Sequence, residues 1–259
     1  MTRTIALFNQ AGGVGKTTLT QNLGYHLQAR GHQVLLIDLD PQASLTTFMG
    51  IDSGTLEKTP FDALINEEPL FIFKDIQGID LAPANINLSA AEIQLVNLDF
   101  REVRLKEALD PIRDNYDFIL IDCPPSLGLL SYTSLVAATH VLIPIETHFK
   151  AFQGTNLLLQ TITKVRKRGN RALEIAGFVP SRYAANNSQD KRTLQAIREQ
   201  FGKVSTVHNA IPRLTAFVDA SEEQVPLAIY DPHNPALKIL DQLAAQMETL
   251  NDPPTKLSS

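Results

Sequence analysis

The chain has 259 residues, 44% of them apolar, a formal net charge of −5 and a single cysteine, Cys123. One thiol excludes a disulfide framework and any iron–sulfur or multi-cysteine metal site built by one chain. The mild negative charge leaves only local basic patches as a route to nucleic acid, and the length suits one α/β domain with a sizeable core.

No apolar run approaches the ~20 residues needed to span a bilayer. The start, Met1-Thr2-Arg3-Thr4-Ile5-Ala6-Leu7-Phe8, has too short an apolar stretch for a signal peptide and reads as a first strand. A soluble, cytoplasmic chain is expected.

Short apolar runs then alternate with helix-period segments. Residues 5–8 predict a strand, 17–30 a helix stopped at Gly31, and 34–37 a strand ending at Asp38. The stretch 50–78 is less regular, an excursion beside the sheet, and 79–82 is the next strand. Helix 89–96 opens with Ser89 and Glu92 at capping-box spacing, and 101–113 is amphipathic. Strand 118–121 ends at Asp122, and 141–145 is a further strand. Helix 153–168 stops at Gly169, strand 175–179 follows, and helix 189–201 stops at Gly202. A weaker strand at 204–207 and a helix over 234–250 close the pattern.

Near-continuous apolar strands separated by helices predict a doubly wound, mainly parallel sheet with helices on both faces. Residues 1–250 read as one domain. Residues 251–259, with two prolines and a Ser-Ser end, read as a disordered tail.

The chemistry starts at Gln10-Ala11-Gly12-Gly13-Val14-Gly15-Lys16-Thr17. A glycine-rich turn between a strand and a helix, closed by Lys-Thr, has the context of a phosphate-binding P-loop. Glycines let backbone N–H groups approach phosphates, and the helix N-terminus adds positive potential. Ala11, Gly12, Gly13, Val14, Gly15, Lys16, Thr17 and Thr18 are the predicted nucleotide contacts. Lys16 would carry charge to the β/γ-phosphates, and the Thr17 hydroxyl would ligate Mg²⁺. ATP and Mg²⁺ are the predicted ligands.

Two carboxylate elements follow strands. In Asp38-Leu39-Asp40-Pro41-Gln42, Asp40 would face the nucleotide at the carboxyl end of the sheet, and Asp38 would support the loop and the metal shell. In Asp122-Cys123-Pro124-Pro125, Asp122 resembles a Walker B aspartate that holds Mg²⁺ through a water. The metal set is thus Thr17, Asp40 and Asp122. Pro124-Pro125 with Gly128 resembles a switch that senses the γ-phosphate. Cys123 reads as core filler.

Gly12-Gly13 followed by Gly15-Lys16-Thr17 resembles the deviant Walker A loop of the ParA/MinD class. Position 10, where the general P-loop has glycine, is Gln10. The similarity runs through 4–50, through 116–154 with Tyr116-Asp117-Phe118-Ile119-Leu120-Ile121-Asp122, and through Ala210-Ile211-Pro212-Arg213 and 225–231. It implies a slow ATPase, stimulated by a partner or DNA, that forms a homodimer on ATP. It also implies non-specific DNA binding, nucleoid association and an adaptor protein that links the ATPase to its cargo. Asp40 would position the attacking water. Pro212 and Arg213 would border the adenine and ribose.

One residue departs from the class. Its signature lysine, which reaches the partner's phosphates across the dimer, is matched by Ala11. Lys150, just past the 141–145 strand, is the candidate substitute, so Lys16, Asp40 and Lys150 make up the predicted catalytic set. Loss of this lysine resembles the carboxysome-positioning ATPases (McdA), with plasmid or chromosome partition the next reading.

Lys164, Arg166, Lys167, Arg168 and Arg171 form the candidate DNA contact, and Lys191, Arg192, Arg198 and Lys203 form a second basic run. An arginine that touches DNA in many relatives is matched here by Ala216. Two rivals remain. A MinD-like membrane role needs a basic amphipathic C-terminal helix, but 240–250 carries Asp241 and Glu248 and no basic residue, so no membrane partner is expected. An ATP-dependent metabolic enzyme on the same scaffold needs a second catalytic constellation, and the sequence offers none.

Overall fold

A computed structural model describes residues 1–251, with side chains for all of these except 149–153. The chain runs β1 (Arg3–Leu7), α1 (Lys16–Ala29), β2 (Val34–Asp38), α2 (Ser44–Phe48), α3 (Pro60–Asn66), β3 (Phe73–Ile76) and β4 (Ile79–Ala82). It continues α4 (Leu88–Leu95), α5 (Arg104–Leu109), β5 (Phe118–Asp122), α6 (Leu129–Ala137), β6 (His140–Glu146) and α7 (Phe149–Arg168). Last come β7 (Glu174–Ser181), α8 (Ser188–Phe201), α9 (Ala216–Glu222), α10 (Leu227–Tyr230) and α11 (Ala236–Glu248). The seven strands form one sheet in the order β3-β4-β2-β5-β1-β6-β7, parallel except for β3.

Strand period two divides the core. Ala6, Phe8, Leu35, Ile37, Ile119 and Ile121 point to one face, where α3 to α8 cover them. Ile5, Leu7, Val34, Leu36, Phe118 and Leu120 point to the other, under α1, α2 and α11. Burial on both faces explains why the strands read as unbroken apolar runs.

Several predicted elements differ. The 101–113 helix contracts to α5, because Phe100 takes a left-handed φ of 55° before it and Pro111 follows Asp110 behind it. Ser89 and Glu92 make no capping box. Asn87 is the N-cap of α4, and Glu92 lies against Gly128 instead. The capping box forms at Thr59 and Asp62, with Pro60 opening α3 inside the predicted excursion. The excursion also holds β3, the antiparallel edge of the sheet. Residues 204–207 contribute one bridge, Phe178 to Val207, rather than a strand. The predicted tail lies, from 252 on, outside the described residues.

The unpredicted α6 connects β5 to β6 across the first face. Its Thr133 and Ser134 hydroxyls both donate to the Leu130 carbonyl, at 3.0 and 2.7 Å, so these polar residues sit buried inside a helix without an unmet donor.

The C-terminal helix is fastened to α1. Leu240, Leu243, Ala244 and Met247 are buried under it, and the Arg30 guanidinium forks to Asp241 at 3.0 Å and Glu248 at 2.8 Å. Hydrogen bonds from Arg30, with His32 adding to them, hold the Glu248 carboxyl down from 4.5 to about 2. A carboxyl with a depressed folded pKa stabilises above its unfolded pKa and loses that contribution as pH falls through the folded one. Thermal melts of Glu248→Gln are therefore expected below wild type at neutral pH. The gap should close as pH falls from 4.5 toward 2.

Candidate functional site

The loop after β1 is shaped by its own side chains and by two glycines. Asn9 Nδ2 donates to the Pro144 carbonyl on β6 at 2.7 Å, and Asn9 Oδ1 accepts from the Ala11 N–H at 2.9 Å. Gly13 (φ 75°) and Gly15 (φ 86°) take left-handed conformations that a Cβ would strain. Gly15 is also the N-cap of α1 and supplies no side-chain oxygen, so the first N–H groups of α1 are left to an anion. Lys16 is 6% exposed, and its Nζ donates to the Asn9 and Ala11 carbonyls at 3.0 and 3.1 Å. Burial lowers its pKa, and Asp122 works against that shift.

Asp38 and Asp122 end neighbouring strands and are partners in register. Both are buried, but their bonding differs. Asp38 accepts from the Thr46 N–H (2.9 Å), the Thr46 hydroxyl (2.8 Å) and the Asp40 N–H (3.1 Å), so both of its oxygens are used in holding the β2–α2 loop. Asp122 accepts at Oδ1 from Thr20 at 3.4 Å, while Oδ2 is buried with no hydrogen-bond partner. Burial, then the charge of Asp38, pushes the Asp122 pKa up, against the pull of Thr17 and Lys16. An orphaned carboxylate oxygen beside a threonine hydroxyl is a hard oxygen pair that fits Mg²⁺. Asp40 is half-buried at the rim, where Oδ1 accepts from the Gln42 N–H at 3.0 Å. The switch segment abuts the loop: a Cβ on Gly12 would lie 3.9 Å from Pro125 Cβ. Cys123 is fully buried, and burial raises its thiol to about 12.

Beside the loop lies a cavity of about 530 Å³ lined by Gly13, Gly15, Thr18, Pro212, Arg213 and apolar side chains including Phe217. Ile211 to Arg213 reach it because the Tyr183 N–H donates to Ile211 O and the Arg213 N–H donates to Tyr183 O, both at 3.0 Å. Ser181 and Arg182, at the end of β7, line it as well and were not among the predicted residues. In the sequence they lie just past the predicted 175–179 strand, with no motif to mark them.

Lys150 falls in the first turn of α7, and its side chain lies outside the described residues. Gln10 Nε2 donates to the Gly154 carbonyl at 2.9 Å, which seats this end of α7 against the loop. Lys164, Arg166, Lys167, Arg168 and Arg171 are exposed at the far end of α7 and its turn. Arg166 Nε donates to the Leu173 carbonyl at 2.6 Å. Lys191, Arg192, Arg198 and Lys203 are exposed on the neighbouring α8 and its following turn. Ala216 opens α9.

A buried lysine inside a glycine loop, at the carboxyl edge of a parallel sheet, is a place built for phosphate. The fold and the site together define a P-loop nucleoside triphosphatase.

Comparison with known proteins narrows the class. The AAA domain family model (AAA_31) matches residues 2–175. Over 250 residues the chain is 37% identical to the sporulation initiation inhibitor protein Soj of Bacillus subtilis, covering 95% of this chain and 98% of Soj. It is 40% identical over 235 residues to the chromosome partitioning protein ParA of Caulobacter vibrioides, covering 88% and 87%. A Mycobacterium smegmatis protein described as cobyrinic acid a,c-diamide synthase, solved with an ATP analog and magnesium, matches with TM-score 0.79 at 33% identity over 86% of this chain and 93% of that one. The ATP complex of Cyanothece McdA matches with TM-score 0.86 at 23% identity over 97% and 98%, a likeness of fold. The chain belongs to the ParA/MinD-type P-loop ATPases.

Proposed function

We propose that this protein is an ATP-driven positioning ATPase of the partition type. ATP is its substrate and Mg²⁺ its cofactor. The nucleotide's phosphates sit on the N–H groups from Gly12 to Thr18, the predicted Ala11 N–H being spent on Asn9 Oδ1, with the adenosine in the cavity beside Pro212 and Arg213. Lys16 carries charge to the β- and γ-phosphates. Thr17 and Asp122, with Asp40 nearby, would hold Mg²⁺, which would supply positive charge against the charge that develops on the phosphates. Asp40, at the rim, orients the water that attacks the γ-phosphorus as the bond to the ADP oxygen breaks. Asp38 stays a support, since its oxygens are already engaged.

The finer reading is a homodimer formed on ATP that binds nucleoid DNA through Lys164, Arg166, Lys167, Arg168 and Arg171. An adaptor would link it to a cargo, with a carboxysome first and a plasmid or chromosome next. What supports this reading is the Gln10–Gly154 hydrogen bond. It seats the start of α7, where Lys150 lies, beside a loop whose position 11 carries no charge. Two nucleotides facing each other need cations between them, and Lys150 is the candidate for that charge.

Light scattering with ATP and Mg²⁺ is expected to show a dimer for wild type and a monomer for Lys150→Ala. The variant's turnover should fall by about 10²-fold. Unchanged assembly and turnover would remove Lys150 from the mechanism.

The Mycobacterium likeness favours a second reading, a metabolic amide-forming enzyme on the same scaffold. Duplex DNA separates the two: it stimulates a partition ATPase and leaves a synthetase unaffected. A membrane role finds no support in α11, whose apolar face is buried against α1. No helix among the described residues is long and apolar enough to cross a membrane.

A further inference from the structure

The end of β7 runs behind the phosphate loop and grips two of its carbonyls. The buried Ser181 hydroxyl donates to Val14 O at 2.7 Å, and Arg182 Nη1 donates to Gly13 O at 2.9 Å. These two carbonyls belong to consecutive peptides in the middle of the loop. A trans peptide points its C=O and its N–H to opposite sides. With the Gly13 carbonyl drawn to Arg182, the Val14 N–H faces away from β7. With the Val14 carbonyl drawn to Ser181, the Gly15 N–H faces away as well. Both donors are thereby left on the side of the loop away from β7.

The grip is itself braced. Arg182 has a left-handed φ of 53°, a conformation that residues with a Cβ seldom adopt and that surrounding contacts must hold. The contacts are present on both sides. The Thr147 N–H donates to Ser181 O at 3.1 Å, and the Tyr183 N–H donates to Ile211 O at 3.0 Å. Arg182 Nε lies 3.6 Å from Glu146 Oε1 at the end of β6, so the planar guanidinium spans from a carboxylate to a loop carbonyl.

We infer that Ser181 and Arg182 are positioning residues for phosphate binding. They orient two loop N–H donors before the nucleotide arrives, which removes a reorganisation cost from binding. The inference rests on the ATPase reading above and assigns a task to two side chains outside the loop motif.

The test must separate loop orientation from a wall of the adenosine cavity, because both residues also line that cavity. ADP and adenosine are titrated by calorimetry into wild type, Ser181→Ala, Arg182→Ala, Arg182→Gly, Arg182→Lys and Glu146→Gln. ADP affinity is expected to fall about ten-fold in Ser181→Ala and in Arg182→Ala, the loss of one hydrogen bond's orientation, with adenosine affinity unchanged. Arg182→Gly should lose as much as Arg182→Ala, since the guanidinium rather than the backbone does the holding. Arg182→Lys should recover part of the loss. Glu146→Gln, which keeps size and leaves the loop untouched, should show a smaller loss confined to ADP, so the idea stays testable even if a truncation at 181 or 182 fails to fold. Equal losses for ADP and adenosine would make these residues cavity walls and overturn the inference, as would unchanged ADP binding in all variants. Wild type that binds no ADP would overturn the ATPase reading and this inference together.

Discussion

Lys16→Ala is expected to lower ATP turnover by about 10²–10³-fold, the cost of removing one preorganised charge donor from a water-poor site. The effect is large because Lys16 is 6% exposed and has no neighbour on the loop that could take its place, Ala11 being uncharged. Stability should hardly suffer. Burial already disfavours the ammonium, so its removal relieves a desolvation cost. Asp122, with its pKa raised by burial and by Asp38, can take up a proton in response. Steady-state phosphate release paired with thermal melts checks this. Turnover within a few-fold of wild type would remove Lys16 from catalysis, and a folded but inactive protein is the expected outcome.

Asp40→Asn is expected to separate binding from hydrolysis. Asp40 Oδ1 accepts from the Gln42 N–H at 3.0 Å, and an asparagine oxygen can accept the same bond, so the β2–α2 loop keeps its shape. The amide cannot orient or deprotonate water as a carboxylate does, a loss worth about 10²–10⁴-fold. Single-turnover hydrolysis of radiolabelled ATP should slow by that factor while ATP affinity stays near wild type. The ATP-bound dimer should accumulate, visible by light scattering. Hydrolysis at the wild-type rate would leave Asp40 as a turn-former only. The same substitution at Asp38 makes a different test. Asp38 accepts three hydrogen bonds, so its loss should appear first as a lower melting temperature.

Much of this site was legible from short-range pattern. The strands over 5–8, 34–37 and 118–121 were readable because both faces of a parallel sheet are buried and every residue is apolar. The loop was readable because left-handed turns at positions 13 and 15 call for glycine wherever they occur. Carboxylates at strand ends followed from the parallel direction of those strands. The helix α6 was not legible, since Ser, Thr and Tyr within Leu129–Ala137 carry no helical signal until Thr133 and Ser134 are seen bonded to a carbonyl of their own helix. The Ser89–Glu92 spacing misled for a tertiary reason: Glu92 turns toward Gly128 on another segment.

By itself the sequence determined what depends on neighbours within a few residues: strand and helix alternation, the glycine turns, and lysine and aspartates in phosphate-site order. Only the tertiary structure decided what depends on residues far apart along the chain. It separated Asp38, with every oxygen engaged, from Asp122, with one oxygen orphaned. It brought Ser181 and Arg182 onto Val14 and Gly13 across separations of 167 and 169 residues. The reason is physical. Local backbone preference is set by each residue's own sterics, whereas a carbonyl's hydrogen-bond partner is chosen by where the sheet places the next strand.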